Sequence, residues 1–511
     1  MKEIVVVGGG TAGWLAALRM RQAFNYNITV VKSSKVGILG AGEGSTPHLI
    51  EFLDGLGISV LDLIKNTNAT LKNGIDFINW KGDGASYFHG FGIFDQRLSF
   101  DGSIDLFKSV IRKEQNIDEY YLPAVLTNKY KSPFIYTNQF QFIPNDESRA
   151  FKFFENTGNR VNYSIHFDAT ELASYLEKIA IQRGIQVIDD LVQEIVTDDD
   201  DYIVQLNLEN NGPLGCDFVF DCTGFHRLII GKKYNSEWVS FKDNLPMKEA
   251  QPFFLPPSVN IRPCTEAIAQ DAGWIWRIPL QHRYGCGYVY DSRYISNDEV
   301  KAKILELYPE AEIGKKTFKF EAGYHKKAAI KNCFAIGLSN GFVEPLEATS
   351  IFSFILSMNE FIRKNYMECV LNRDNTEQSK AQLRCIANEV NRINADINIC
   401  IAHFIQFHYI TDRNDSLFWQ EFNSTNTLFD NTIAEIKNIN DGQITEQQIG
   451  SINVFDRESW NVVGNGCGHC NPDNLQYNEL YDIVSIKSSI DYYADKFIDH
   501  MDVIDYGRNS E

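Results

Sequence analysis

Three glycines, two tryptophans, a lysine and a glutamate have the types and spacing that chemistry would need. Gly8, Gly10 and Gly13 stand at G-x-G-x-x-G spacing, between the run Ile4-Val5-Val6-Val7 and a helical pattern that follows from Trp14. In that setting the first glycine permits a tight turn, the second admits a pyrophosphate close to the backbone, and the third lets helix pack on strand. The helix N-terminus then turns free N–H groups and a positive dipole end toward the phosphates. Adenine-dinucleotide binding is the chemistry implied; a purely structural glycine turn is the competing reading. Trp274, Trp276 and Ile278 alternate along Gly273–Pro279, so a strand there places them on one face. Two neighbouring tryptophans suit a wall, with core packing as the plainer account. Lys72 is the single cation in the extended apolar run 71–80, and Glu347 stands where a helix begins. Taken alone, the first reads as an exposed strand lysine and the second as a carboxylate favoured by the helix dipole.

These residues need elements to hold them. Asn27-Ile28-Thr29-Val30-Val31 reads as the second parallel strand. A dinucleotide site commonly ends this strand with an acid for the ribose hydroxyls; here Lys32 stands there, with Ser33 next to it as a possible ribose contact. The segment 40–47 contains Gly40, Gly42 and Gly44, and leads into a helix at 47–56 that Ser45 or Thr46 would cap. It reads either as a strap over a flat cofactor or as an ordinary loop. Asp168 and Glu171 have capping-box spacing before a helix to about Arg183. Strands follow at 186–188, 202–208, 218–221 and 332–337, and a helix runs from about 350 to 364. Beyond 360 the pattern is mainly helical, including 377–392 and 489–500. No repeat or low-complexity linker separates the parts.

Composition sets bounds. A chain of 511 residues with 44% hydrophobic content has room for two to four modules and a large core. A net charge of −19 repels phosphate backbones, which argues against nucleic acid as partner. The longest apolar runs fall short of a membrane span, and the first strand, starting at residue 3, leaves no room for a signal peptide. Ten scattered cysteines fit reduced thiols and a cytoplasmic setting. Cys467 and Cys470 form one CxxC without the second pair that a zinc site needs, so no metal is expected.

Together these stretches resemble the flavin-dependent halogenases, specifically the tryptophan-halogenase-like group, over most of the chain to about residue 420. Trp274, Trp276, Ile278 and Pro279 meet the pattern W-x-W-x-I-P, and Gly-Phe-Val-Glu-Pro-Leu-Glu at 341–347 matches closely, as do 407–419 and Phe77-Ile78-Asn79-Trp80. The resemblance implies an α/β fold with α+β insertions. A Rossmann-type FAD-binding module with an inserted substrate-facing sheet would cover 1–360, and a mainly helical substrate-binding module, packed on it, would cover 361–511. It implies FAD held by Gly8, Gly10, Thr11, Ala12, Gly13, Ser33, Gly42, Val192, Leu338 and Ile351, and halide held by Thr349 and Ser350. Trp274 and Trp276 would wall the flavin from the substrate.

The implied chemistry is oxidation of halide by reduced FAD and O2 to hypohalous acid, which passes to Lys72 and then halogenates an aromatic, indole- or phenol-like, substrate. Lys72 would act as a haloamine or by a hydrogen bond that polarises the O–X bond, and Glu347 would orient that species or take the ring proton. A carboxylate near the lysine would favour its charged form, which supports the hydrogen-bond version. One dinucleotide fingerprint and no second nicotinamide unit imply a separate flavin reductase as partner; a homo-oligomer is also expected. The group's halide segment reads F-x-x-P-x-x-S-x-G, whereas Phe342 and Pro345 are followed here by Ala348 and Ser350. Serine for glycine restricts positive φ, and the reshaped pocket leads us to expect bromide or iodide to be preferred over chloride. A monooxygenase of the same fold, or a non-catalytic flavin or aromatic-ligand binder, are the alternatives.

Overall fold

The computed structural model describes residues 2–37, 40, 42–92, 100–135, 161–374, 376–424, 427–443, 452–476 and 482–509. Its first layer is a six-stranded sheet in the order Ala329–Ile330, Cys333–Ala335, Phe218–Asp221, Glu3–Val7, Asn27–Lys32, Gln186–Asp189. All neighbours are parallel except the first pair. Such strands are covered on both faces and therefore read as continuous apolar runs. Helices Thr11–Ala23, Pro47–Gly55, Ala169–Gln182 and Thr349–Arg363 contribute apolar side chains to the main core beside this sheet.

A second, eight-stranded sheet carries Gly273–Pro279 at its centre, flanked by Tyr284–Tyr290 and Thr265–Gln270. Beyond Thr265–Gln270 come Gly74–Ile78 and Ser86–Gly90, the former pairing parallel and the latter antiparallel. The long helix Glu377–Tyr409 packs its C-terminal half into the core beside this sheet, against Phe77, Trp80 and Trp274. It continues 17 residues beyond Arg392, where the sequence pattern ended it. Among the described residues, no helix is long and apolar enough to cross a membrane.

The run 71–80 is not one strand. Thr70–Lys72 pairs with Ser164–Phe167 in a small three-stranded sheet, whereas Gly74–Ile78 joins the large one. Asn73 is the corner: its N–H donates to Pro263 O at 2.7 Å and its side-chain amide to Thr127 Oγ1 at 3.3 Å. The stretch 489–500 is also not one helix. Ile483–Ala494 ends before the strand Phe497–Asp499, which pairs with Lys131–Ile135, and a new helix starts at His500. Phe497 and Ile498 are buried there, and a sheet partner far along the chain overrides the local helical pattern.

Two caps differ from expectation. Asp168 accepts from the N–H groups of Thr170 and Glu171, but the Glu171 carboxylate accepts from Asn68 instead of closing the box. Neither Ser45 nor Thr46 caps Pro47–Gly55 with its side chain: Thr46 holds the N-cap place without such a bond, and Ser45 Oγ donates to Ile165 O at 2.9 Å.

Candidate active site

The glycine fingerprint builds a cradle. Gly8 has φ +127°, and a Cβ on it would lie 2.1 Å from Cys222 O. A Cβ on Gly13 would lie 2.0 Å from Gly8 O, so helix and strand approach as closely as the sequence implies. Gly10 differs: its Cβ position meets no atom within 4 Å, and as N-cap of Thr11–Ala23 it offers no side-chain bond to the first-turn N–H groups. Open space before unbonded N–H donors suits a pyrophosphate. Gly337, at φ +64°, brings the turn Gly337–Ser339 onto this first turn, where its Cβ would stand 2.9 Å from Ala12 Cβ. Leu338 therefore joins Thr11 and Ala12.

Half-buried Ser33 follows the strand Asn27–Lys32, and Asp190, just before Val192, donates its N–H to Lys32 O at 2.8 Å. Both positions thus lie at the carboxyl end of the parallel sheet, where such folds bind ligands. Lys32 itself is neutralised by Glu177 at 2.6 Å. Half-buried Ile351 lies in the first turn of Thr349–Arg363.

The strap touches both other parts of the site. A Cβ on Gly42 would meet Gly285 Cα at 3.2 Å and Ile278 Cγ2 at 3.5 Å, on the tryptophan strand. A Cβ on Gly44 would meet Lys72 Nζ at 3.2 Å. Ala41 lies outside the described residues. Trp274 and Trp276 have ring centroids 6.2 Å apart. They are not equivalent, however: Trp274 is buried in the core, and half-buried Trp276 lies over Gly287, where a Cβ would come within 2.1 Å of its ring. Trp274 is thus a core residue, the plainer of the two accounts.

Lys72 is fully buried at 0% exposure, which overturns the exposed-strand account. It ends its strand with Nζ donating to Ser45 O at 3.0 Å and 5.4 Å from the Phe91 ring centroid. Burial pushes its amine down to about 8, and the charge of Glu347 offsets this only in part. The carboxylate favours the charged form as anticipated, but desolvation wins.

Glu347, at φ +68°, precedes the helix Thr349–Arg363 rather than sitting in it, and Ala348 at its N-cap has φ +54°. Glu347 Oε1 lies 2.8 Å from His89 Nδ1 and 2.8 Å from His408 Nε2. Burial would raise this carboxyl; the charges and hydrogen bonds of the two imidazoles outweigh it and hold the group well below the usual carboxylate range. Three residues earlier the balance reverses. Burial pushes Glu344 up to about 8, with Tyr409 Oη donating to its Oε1 at 2.5 Å. One glutamate is kept as the anion and its neighbour as the acid.

Thr349 is buried and Ser350 exposed, on a first turn that Ala348 does not cap with a side chain. Ser350 has helical backbone, so the positive φ expected at a glycine equivalent falls instead on Glu347 and Ala348. Cys467 Sγ donates to His408 O at 3.6 Å, and burial pushes both CxxC thiols up to about 12.

The profile of the tryptophan halogenase family matches residues 3–482. The chain belongs to that family. It is 32% identical over 435 residues to the tryptophan 6-halogenase SttH of Streptomyces toxytricini, covering 82% of this chain and 80% of that protein. With the tryptophan 7-halogenase RebH of Lentzea aerocolonigenes it shares 29% identity, covering 82% and 78%. The crystal structure of SttH superposes with a TM-score of 0.85 over 99% of both chains at 25% identity. Tar14, a tryptophan C-6 flavin-dependent halogenase of taromycin biosynthesis, superposes with a TM-score of 0.84 at 26% identity, over 99% of this chain and 100% of that one. The resemblance read from the motifs is borne out, as is the mixed α/β architecture with its Rossmann-type module. The chain is an enzyme of the flavin-dependent halogenase kind, whose cofactors are FAD, reduced by a separate reductase, and halide.

The motifs left His89 and His408 without a role. Each is a histidine inside an apolar, aromatic run, Tyr87-Phe88-His89-Gly90-Phe91 and Phe404-Ile405-Gln406-Phe407-His408-Tyr409. A buried imidazole needs a polar partner, and that was the available signal.

Proposed function

We propose that the chain halogenates an aromatic small molecule electrophilically, at a site organised by Lys72 and Glu347. The observation that carries this reading is a fully buried lysine held near about 8, beside a carboxylate kept ionised by two imidazoles. A buried amine with a perturbed proton affinity and a nearby carboxylate is the kind of group that functional sites collect.

Bound at the glycine cradle, reduced FAD with O2 supplies the oxidising equivalent that converts halide to hypohalous acid. Gly8, Gly10, Thr11, Ala12, Gly13 and Leu338 would hold its phosphates, Ser33 and Val192 would lie toward its adenosine end, and Gly42 and Ile351 toward its ring. Trp274 and Trp276 would keep the organic substrate from it. At Lys72, hypohalous acid either reacts with the neutral amine, giving an N–X bond and water, or accepts a hydrogen bond from the ammonium. A value of about 8 leaves neutral amine available near neutrality, which supports the haloamine route. The aromatic ring then attacks the halogen and the N–X or O–X electron pair leaves on nitrogen or oxygen. Glu347 accepts the ring proton as aromaticity returns, and that proton restores the amine or replaces the one the ammonium gave to make water.

Thr349 and Ser350 would bind halide through first-turn N–H groups. Ala348 and Ser350 stand where the family pattern has serine and glycine, and this supports a preference for bromide or iodide. The named relatives act on tryptophan; an indole or phenol is the class proposed for this chain. The test supplies FAD, a reductase and NADH, then follows a panel of indoles and phenols with each halide by mass spectrometry. Halide-dependent mass gain supports the reading; hydroxylated product irrespective of halide would overturn it.

A further inference from the structure

His408 has both ring nitrogens committed. It lies in the last turn of Glu377–Tyr409 at 0% exposure, with Nδ1 2.8 Å from Phe404 O and Nε2 2.8 Å from Glu347 Oε1. A backbone carbonyl only accepts, so Nδ1 carries hydrogen. The contact on Nε2 needs one more proton, placed either on His408 or on Glu347. His89 Nδ1 lies 2.8 Å from the same Oε1 and 3.0 Å from Oε2, so the two imidazoles converge on one carboxyl. With His408 Nδ1 already donating to Phe404 O and His89 turned to the same carboxyl, the arrangement favoured is the one in which the carboxyl is the anion and Nε2 donates to it.

Among the described residues, aromatic rings surround the imidazole. Phe77 and Phe404 lie 4.8 and 4.9 Å from the His408 ring, and Trp80 at 6.2 Å. Among the described residues, the titratable groups that act on Glu347 from other elements are His89, His408, Lys72, Tyr87 and Cys467. Glu347 and Ala348 also hold successive left-handed conformations that non-glycine residues adopt at a cost. Something must fix them, and the Glu347 side chain is fixed at its tip from two sides.

Resting on the halogenase reading above, we infer that His408 is a positioning residue: as an imidazolium locked between Phe404 O and Glu347, it aims that carboxylate and keeps it ionised during turnover. The Glu347–His408 pair then carries no net charge, so Glu347 stays ready to accept a proton without drawing Lys72 fully into its charged form. A neutral donor at position 408 would aim Glu347 but leave its ionisation to His89 alone.

The experiment is His408→Gln in the full, FAD-loaded chain. We expect kcat to fall about tenfold or more while KM for the aromatic substrate and FAD binding hold, and the acid limb of the kcat profile to move up by about one pH unit. A variant with wild-type kcat and profile overturns the inference, as does a lower kcat on an unmoved acid limb. A second measurement is independent of turnover and of the variant's folding: side-chain 15N spectra of histidine-labelled wild-type enzyme. Both His408 nitrogens protonated between pH 6 and 8 support the inference, and one bare nitrogen overturns it. If the wild type halogenates nothing, the functional reading fails, and the nitrogen spectrum still decides the charge on His408.

Discussion

Lys72 Nζ donates to the carbonyl of Ser45 at 3.0 Å, so the buried amine is tied to the strap that also packs, through Gly42, on the tryptophan strand. A shift of the strap therefore moves a hydrogen-bond partner of Lys72. The tryptophan strand and the lysine site are thus joined through one segment of chain.

Lys72 opposes folding while it is charged. Its amine is lowered to about 8 from the ordinary 10.5, first by burial, so the unfolded chain holds the proton more tightly. The penalty is complete below about pH 8 and fades as pH rises from there to the ordinary lysine value, roughly 3 kcal/mol in all. Lys72→Met should abolish halogenation, retain FAD binding and reduced-flavin oxidation, and raise the melting temperature at pH 7 by a few degrees. The gain should shrink by pH 10. A variant that melts lower at pH 7, or still halogenates without releasing free hypohalite, contradicts this account.

Glu347→Gln removes charge and keeps shape. Its amide oxygen can still accept from His89, but its NH2 meets the donor-bearing edge of His408. Product formation should slow on the order of 100-fold, with FAD binding unchanged. The check is turnover per folded, flavin-loaded enzyme. Activity that falls only in step with folded protein would assign Glu347 a structural role alone.

Gly10 and Gly13 should fail differently. A Cβ at Gly13 lands 2.0 Å from Gly8 O, whereas at Gly10 it meets nothing within 4 Å. Gly13→Ala should lower the yield of folded protein. Gly10→Val should fold with a near wild-type melting temperature but bind FAD at least about tenfold more weakly, since the side chain occupies the phosphate space. Titration of apo-protein with FAD measures the difference; equal FAD affinity in Gly10→Val would remove the phosphate from that position.

The cradle is legible in the sequence because each glycine answers a local demand of turn, approach or packing. The parallel strands are legible for a similar reason, being apolar throughout. The burial of Lys72 is not, since it depends on Asn73 turning the chain so that 70–72 and 74–78 enter different sheets. Nor is the clamp on Glu347: His89 comes from a sheet edge 258 residues away and His408 from a helix 61 residues on, and no local pattern records their meeting. The strand Phe497–Asp499 escaped for the same reason, because its partner lies some 360 residues earlier. Spacing reports local geometry; the charge on a buried group is set by residues that only the tertiary fold assembles.

Halide choice should follow the first turn of Thr349–Arg363. Thr349 is buried there and Ser350 exposed, both with helical backbone, behind Ala348 at φ +54°. The serine for glycine exchange therefore adds a Cβ and hydroxyl at the turn without backbone strain, and Ala348 removes a hydroxyl from the other side of Thr349. Chloride is the smallest and most strongly hydrated of the three usable halides and needs close N–H coordination to offset its lost water. Bromide and iodide lose less and are oxidised more readily. We expect bromide or iodide to win in competition at equal concentrations, and Ala348→Ser/Ser350→Gly to move the ratio toward chloride. Glycine in a first helical turn costs up to about 1 kcal/mol, so incorporation is normalised to folded enzyme. Chloride incorporation equal to bromide in the wild type would refute the preference, and an unchanged ratio in the double variant would remove these two positions as its cause.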